Sequence, residues 1–229
     1  MTRTATVLLA GASGLVGREV LARLLAKHDG PRVLAPVRRA LDVASPRLAA
    51  VQSGLAPADD DALSASLRAQ AAVVDAYVCC LGSTIKKAGS REGFLAVDRD
   101  LVLRLAAMAR DLGARQAILV SSVGASAQSG NFYLRVKGET ERALDEMGFD
   151  RVDLLRPGLL LGKRSEPRPG EAIARALTPL ANSLLRGPLR RYRGIAAADV
   201  AAAAVALLGQ GEPGRYVHEN ADLVALAVT

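Results

Sequence analysis

The sequence predicts an α/β fold, a doubly wound parallel sheet in a single domain, and three observations carry that prediction. A strand-like run, Ala5 to Ala10, enters the turn Gly11-Ala12-Ser13-Gly14-Leu15-Val16-Gly17, and an apolar-periodic helix leaves it over 17–27. Short apolar runs then alternate with helical periodicity along the chain, the pattern of strands covered by helices on both faces. Half of the 229 residues are hydrophobic and no linker divides them, so one core can serve the whole of 1–229. Only 3% are aromatic and Trp is absent, so that core is built from Ala, Leu and Val.

The glycine turn is the first functional signal. The first amides of a helix lack intrahelical partners and the helix dipole adds partial positive charge, so a strand, glycine turn and helix in that order suit a phosphate. Gly11 permits the tight turn, Gly14 lets a pyrophosphate approach the backbone, and Gly17 lets helix and strand pack closely. A second strand over 31–37 ends in Arg38-Arg39. Units that bind NAD carry an acidic side chain near this point to accept from the ribose hydroxyls. Two guanidinium groups suit a 2′-phosphate instead, so NADP(H) is the expected cofactor.

A short third strand falls over 47–51, after Pro46, and three aspartates open a helix over 59–71 at its favourable end. The apolar run 72–81 reads as a buried strand. It stops at Gly82-Ser83-Thr84, and Leu81 and Gly82 should pass close to the cofactor, because ligands bind at the carboxyl ends of such strands. A polar loop over 84–91 leads to a long helix, 92–112, with Leu101, Leu105, Met108 and Leu112 at helical spacing, closed by Gly113. The next strand, 115–120, ends in Ser121-Ser122.

Eleven residues beyond Ser122, Tyr133 opens a helix that continues to 147 and holds Lys137 four residues later, on the same face. An ammonium nearby favours phenolate, which moves Tyr133 toward general acid and base work. A hydroxyl from Ser122, or from Ser121, would polarise a substrate carbonyl. A strand over 151–155 follows, then Pro157-Gly158. The charged, proline-punctuated stretch 163–170 reads as a loop over the site, and with the helix 171–185 it makes a substrate loop of about 163–190. The remaining elements are a short strand over 193–195, an Ala-rich helix over 196–208, a strand over 214–217 and a terminal helix over 220–227.

Composition limits the partners. The net charge of +7 is spread along the chain, and the largest basic group (Arg186, Arg190, Arg191, Arg193) is interleaved with Gly and Pro. Without aromatic platforms this argues against nucleic acid. Cys79 and Cys80 read as reduced, buried thiols, and His28 and His218 stand far apart, so no metal site is expected. No apolar run is long enough to span a bilayer and residue 5 already starts a strand, which predicts a cytoplasmic protein. The helices from 92 and from 133 are candidate homodimer faces.

Taken together, Gly11-Ala12-Ser13-Gly14, Arg38-Arg39, the run 79–84, Lys87-Ala88-Gly89, the run 97–100, Ser121-Ser122, Tyr133 to Glu139, Arg156-Pro157-Gly158 and the run 168–171 resemble an atypical short-chain dehydrogenase/reductase, of the Tat-interacting-protein-like NADPH-binding subgroup. The resemblance implies a Rossmann-type doubly wound parallel sheet with NADP(H) on the strand ends. It places Ser13, Leu15 and Val16 on the pyrophosphate side, Tyr133 and Lys137 in the site, backbone from Pro157 to Leu160 on the carboxamide, and Arg168 against the bound cofactor. It implies an NADPH-dependent reductase of a small apolar or anionic carbonyl substrate. The alternative is an NADPH-binding sensor with little or no turnover.

Overall fold

The computed structural model describes residues 5–162, 185 and 187–228. Strand β1 (Thr6–Ala10) is buried along its whole length because it lies in the middle of a seven-stranded sheet. On one side of it stand β2 (Arg32–Val37) and β3 (Leu48–Gln52). On the other stand β4 (Ala76–Cys79), β5 (Gln116–Val120), β6 (Arg151–Leu155) and β9 (Gly214–His218), and all six pairings are parallel. Two further strands, β7 (Leu160–Leu161) and β8 (Ile195–Ala196), pair only with each other. The strand order 3-2-1-4-5-6-9 reverses direction between β1 and β4, and the crevice at such a switch point is where ligands bind.

Successive strand residues point to opposite faces, which divides the core in two. Val7 and Leu9 pack with Val20, Leu24, Val200 and Ala204, from helices α1 (Leu15–Ala26) and α7 (Ala197–Leu207). Leu8 and Ala10 pack with Leu63, Leu67, Leu105 and Leu144, from α2 (Asp60–Gln70), α5 (Val102–Asp111) and α6 (Phe132–Asp145). Arg47 closes the far end of α1, donating to the carbonyls of Leu24, Leu25 and Lys27, groups that a helix end leaves without partners.

Several elements differ from the sequence expectation, three of them between β3 and β5. The apolar run 72–81 forms a strand only over Ala76–Cys79. The polar stretch 84–91 contains the short helix α3 (Ile85–Ala88), because the Thr84 hydroxyl caps it by accepting from the Lys87 amide at 3.2 Å. The helix expected over 92–112 is α4 (Arg91–Leu95), then a π-helical turn (Ala96–Leu101), then α5. The chain closes with α8 (Asn220–Ala227). The loop 163–170 with Arg168, and nearly all of the helix expected over 171–185, lie outside the described residues. No helix among the described residues is long and apolar enough to cross a membrane, and none of their His, Cys, Asp and Glu groups could hold a metal ion.

Candidate functional site

The glycine turn is set by contacts that leave no room for side chains. Gly11 has φ +80°, and a Cβ there would lie 2.8 Å from the Cys80 carbonyl carbon and the Leu81 nitrogen, so the turn rests on the backbone that leaves β4. The Gly14 amide donates to the Gly11 carbonyl at 2.9 Å. A Cβ on Gly17 would stand 2.0 Å from that same carbonyl oxygen. Helix α1 starts at Leu15, two residues earlier than the periodicity suggests, which puts Gly17 in its first turn. No side chain caps α1 at Gly14 and no acidic residue stands in its first turn. Its amides and dipole therefore fit the pyrophosphate of a dinucleotide. Ser13 is exposed, while Val16 is buried in the core and offers only its backbone. A Cβ on Gly162 would lie 2.8 Å from Leu15 Cδ1, so the chain after β6 closes against this turn.

At the ends of β2, β3 and β4 lies a cavity of about 310 Å³ lined by Arg38, Gly54, Leu55, Leu81, Val97 and Arg104, among others. It joins the strand-end arginine to the Leu81 backbone. Arg39 is exposed beside Arg38. A larger cleft, about 710 Å³, opens at the opposite, amino-terminal edge between His28, Arg47, Asp75 and Gln116. It shares no residue with the glycine turn or with Tyr133, and strand direction assigns ligand binding to the carboxyl edge.

Ser121 and Ser122 follow β5 and differ in setting. Ser121 is buried and its hydroxyl has no hydrogen-bond partner. Ser122 is half-buried, and its hydroxyl reaches only the adjacent Val123 carbonyl, at 3.4 Å. Helix α6 begins at Phe132, capped by Asn131, whose side-chain oxygen accepts from the Leu134 amide at 3.2 Å. Tyr133 therefore stands in its first turn, half-buried, with its ring 5.5 Å from that of Phe94.

Lys137, one turn on, is buried and has a partner the sequence reading did not name: Asp98 Oδ1, 2.8 Å from its Nζ. Burial works against the Lys137 charge, but the Asp98 carboxylate outweighs it and holds the ammonium above its ordinary range. Burial also pushes both the Cys79 and the Cys80 thiols up.

Two residues of this site escaped the sequence reading. Asp98 lies in the π-helical turn, an acid on the apolar stripe between Phe94 and Leu101, and its place on that stripe was the available signal. Gly138 follows Lys137, and a Cβ there would lie 2.2 Å from the Ser126 carbonyl carbon, so only glycine lets the loop after β5 lie on α6.

Past β6, the buried Pro157 accepts the Val123 amide at 3.0 Å, tying the loops after β5 and β6 together. The Arg156 guanidinium grips Glu141 of α6, with Nε 3.0 Å from Oε1. Leu160 belongs to β7, in register with Ile195, and packs on the α1 and α7 face of the core. The ladder with β8 thus engages part of the backbone assigned to the carboxamide.

Comparisons with known proteins agree with this architecture. A family model described as NAD(P)H-binding matches residues 11–210. The chain is 36% identical over 210 residues to "Protein fmp52, mitochondrial" of Emericella nidulans, covering 90% of each chain. It is 37% identical over 171 residues to "Protein HTATIP2" of Rattus norvegicus, covering 74% of this chain and 69% of that one. The solved Bordetella bronchiseptica enzyme WbmG in complex with NAD superposes with a TM-score of 0.67 at 14% identity, over 95% of this chain and 73% of that one, which supports the fold. The cytoplasmic expectation is corrected: the fmp52 relatives from Emericella nidulans and Candida albicans are both named mitochondrial, and the lack of a long apolar run does not choose a compartment. With its glycine turn, parallel sheet and strand-end site, the chain belongs to the NAD(P)H-binding family, among the atypical short-chain dehydrogenases/reductases.

Proposed function

We propose that the protein is an NADPH-dependent reductase of a small carbonyl compound. The observation that carries this reading is the convergence on one sheet edge of the open glycine turn, the Ser121-Ser122 strand end, and Tyr133 with Lys137 on one face of α6. When bound, NADPH supplies a hydride. Backbone of Gly11, Ser13, Gly14, Leu15, Val16 and Gly17 would hold the pyrophosphate, and Arg38 with Arg39 the 2′-phosphate. Leu81 and Gly82 would line the path between them and the nicotinamide, with Pro157, Leu160 and Arg168 at its far end. The Ser122 hydroxyl, or the unpartnered Ser121 hydroxyl, donates to the substrate carbonyl oxygen. Tyr133 delivers the proton to that oxygen as it becomes an alkoxide, and Lys137 holds the nicotinamide ribose. Residues 163–190 would set the substrate.

Calorimetric titration of the purified protein with NADPH and with NADH tests the cofactor. Tighter binding of NADPH is expected. In the variant carrying both Arg38→Ala and Arg39→Ala, NADPH affinity should fall by about 10-fold or more while NADH affinity stays level, since a charged hydrogen bond to phosphate is worth about 1.5–3 kcal/mol. Equal affinities in wild type would remove the arginines from cofactor choice. On a carbonyl panel followed by NADPH oxidation, Tyr133→Phe should lower turnover by about 10²–10⁴-fold with NADPH affinity retained. Binding of NADPH with no turnover of any carbonyl would leave the sensor reading in its place.

A further inference from the structure

We propose that Asp98 is the positioning residue of this site, a buried counter-ion that fixes Lys137 as an ammonium where β4 ends; the consequence for cofactor affinity rests on the NADPH reading above. Asp98 is 0% exposed. Its Oδ1 stands 2.8 Å from Lys137 Nζ, and its Oδ2 accepts the Ser83 amide at 2.9 Å. Its backbone carbonyl accepts the hydroxyl of Thr140, three residues beyond Lys137 on α6, at 3.1 Å. One residue is therefore tied both to the loop that leaves β4 and to the helix that carries Tyr133. The π-helical turn is the local device that sets it there, since an inserted residue re-aims the side chains of a helix and such turns occur at functional sites. A Cβ on Gly82 would lie 3.8 Å from both Asp98 Oδ1 and Lys137 Nζ, so the backbone at the strand end passes directly against the pair.

The charge balance gives the pair its purpose. A lysine buried this deeply without a partner loses its proton several pH units early. The groups that face Lys137 are Asp98 from the π-helical turn, Tyr133 from its own helix and Cys79 from β4. Burial pushes the Cys79 thiol up, so it supplies no compensating negative charge near neutral pH. Among the described residues Asp98 alone stands at ion-pair distance. An ammonium carries three donors, more than one carboxylate oxygen uses, so the pairing leaves donors for ribose hydroxyls.

Two measurements on the full chain test this. In protein labelled at lysine ¹³Cε, the Lys137 resonance, assigned by its loss in Lys137→Met, should keep its ammonium position past the ordinary lysine value of about 10.4. In Asp98→Asn it should titrate at least about two units lower. In parallel, the ratio of NADPH dissociation constants, Asp98→Asn over wild type, should widen by roughly 10-fold between about pH 6 and about pH 9, as the variant loses the Lys137 charge. A contact that is merely structural would weaken binding by the same factor at every pH, and a constant ratio overturns the proposal. So does a Lys137 resonance that titrates below the ordinary lysine value of about 10.4 in wild type, a readout that does not need Asp98→Asn to fold. If wild type binds no NADPH, the cofactor reading falls, and the lysine titration still decides the ion pair.

Discussion

Gly17→Ala is expected to lower NADPH affinity by at least about 100-fold and to destabilise the fold by about 2–4 kcal/mol, an overpacking effect at the upper end of its usual range. The added methyl would lie 2.0 Å from the Gly11 carbonyl oxygen, 2.8 Å from its carbon and 3.1 Å from Ala12 Cα. All three are backbone atoms, so no rotamer change relieves the clash. The turn cannot retreat, because Gly11 already rests against Cys80 and Leu81. Nor can α1 back away, because Val20 and Leu24 share a closed core with Val200, Ala203 and Ala204 of α7. Either the turn opens or the helix tilts, and both move the amides proposed to hold the pyrophosphate. Gly211→Ala is the control: nothing lies within 4 Å of a Cβ there, and a stability change within about 0.5 kcal/mol is expected. Denaturant titration with calorimetry reads both quantities. Normal NADPH binding by Gly17→Ala would mean that the turn is not where the dinucleotide sits.

The glycine turn was legible because its chemistry is local. Strand, turn and helix are adjacent in sequence, and the clash that excludes a side chain at Gly17 comes from a residue six positions earlier. The buried parallel strands were legible as apolar runs, though an apolar run marks burial rather than ladder length: the run 72–81 gives a strand only over Ala76–Cys79. The π-helical turn was not legible. Leu101, Leu105, Met108 and Leu112 keep helical spacing, and nothing in that spacing shows the extra residue in the turn that Leu101 ends. The Asp98 and Lys137 pair lies further out of reach, because it joins residues 39 positions apart that only the folding of α6 against the π-helical turn brings together. The spacing of Tyr133 and Lys137 puts both on one face of α6 and carries no sign of Asp98, the carboxylate 2.8 Å from the ammonium. Compartment was not legible either, since burial patterns report the solvent and not its address.

The largest loss of stability is expected at the other end of the sheet, where Asp153→Ala should cost about 3–5 kcal/mol, the range for breaking a buried ion pair from one side. Asp153 is fully buried in β6. It accepts from Arg151 Nε at 2.8 Å, Arg151 Nη2 at 2.9 Å and Gln116 Nε2 at 2.9 Å, and His218 Nε2 lies 2.9 Å from its Oδ1. Removing it leaves the Arg151 guanidinium without its counter-ion, over the ring of Tyr216 at 4.0 Å. Burial works against the Asp153 charge, but the hydrogen bonds from His218, Arg151 and Gln116 outweigh it and hold the carboxyl below its ordinary range. A carboxyl lowered on folding contributes stability that is complete above its unfolded value, near pH 4, and is lost as pH falls through the folded one. Wild type should therefore weaken steeply below about pH 4, and Asp153→Asn should flatten that limb, as read by denaturant midpoints against pH. A loss of less than about 1 kcal/mol in Asp153→Ala would show that Arg151 and His218 find other partners. Because Gln116 and Arg151 open their strands while the glycine turn and Tyr133 lie at the carboxyl edge, the folded variant should bind NADPH as wild type does. Gly17→Ala and Asp153→Ala then separate two demands on one sheet: the first removes the ligand from a fold that largely persists, and the second removes stability from a site that keeps its geometry.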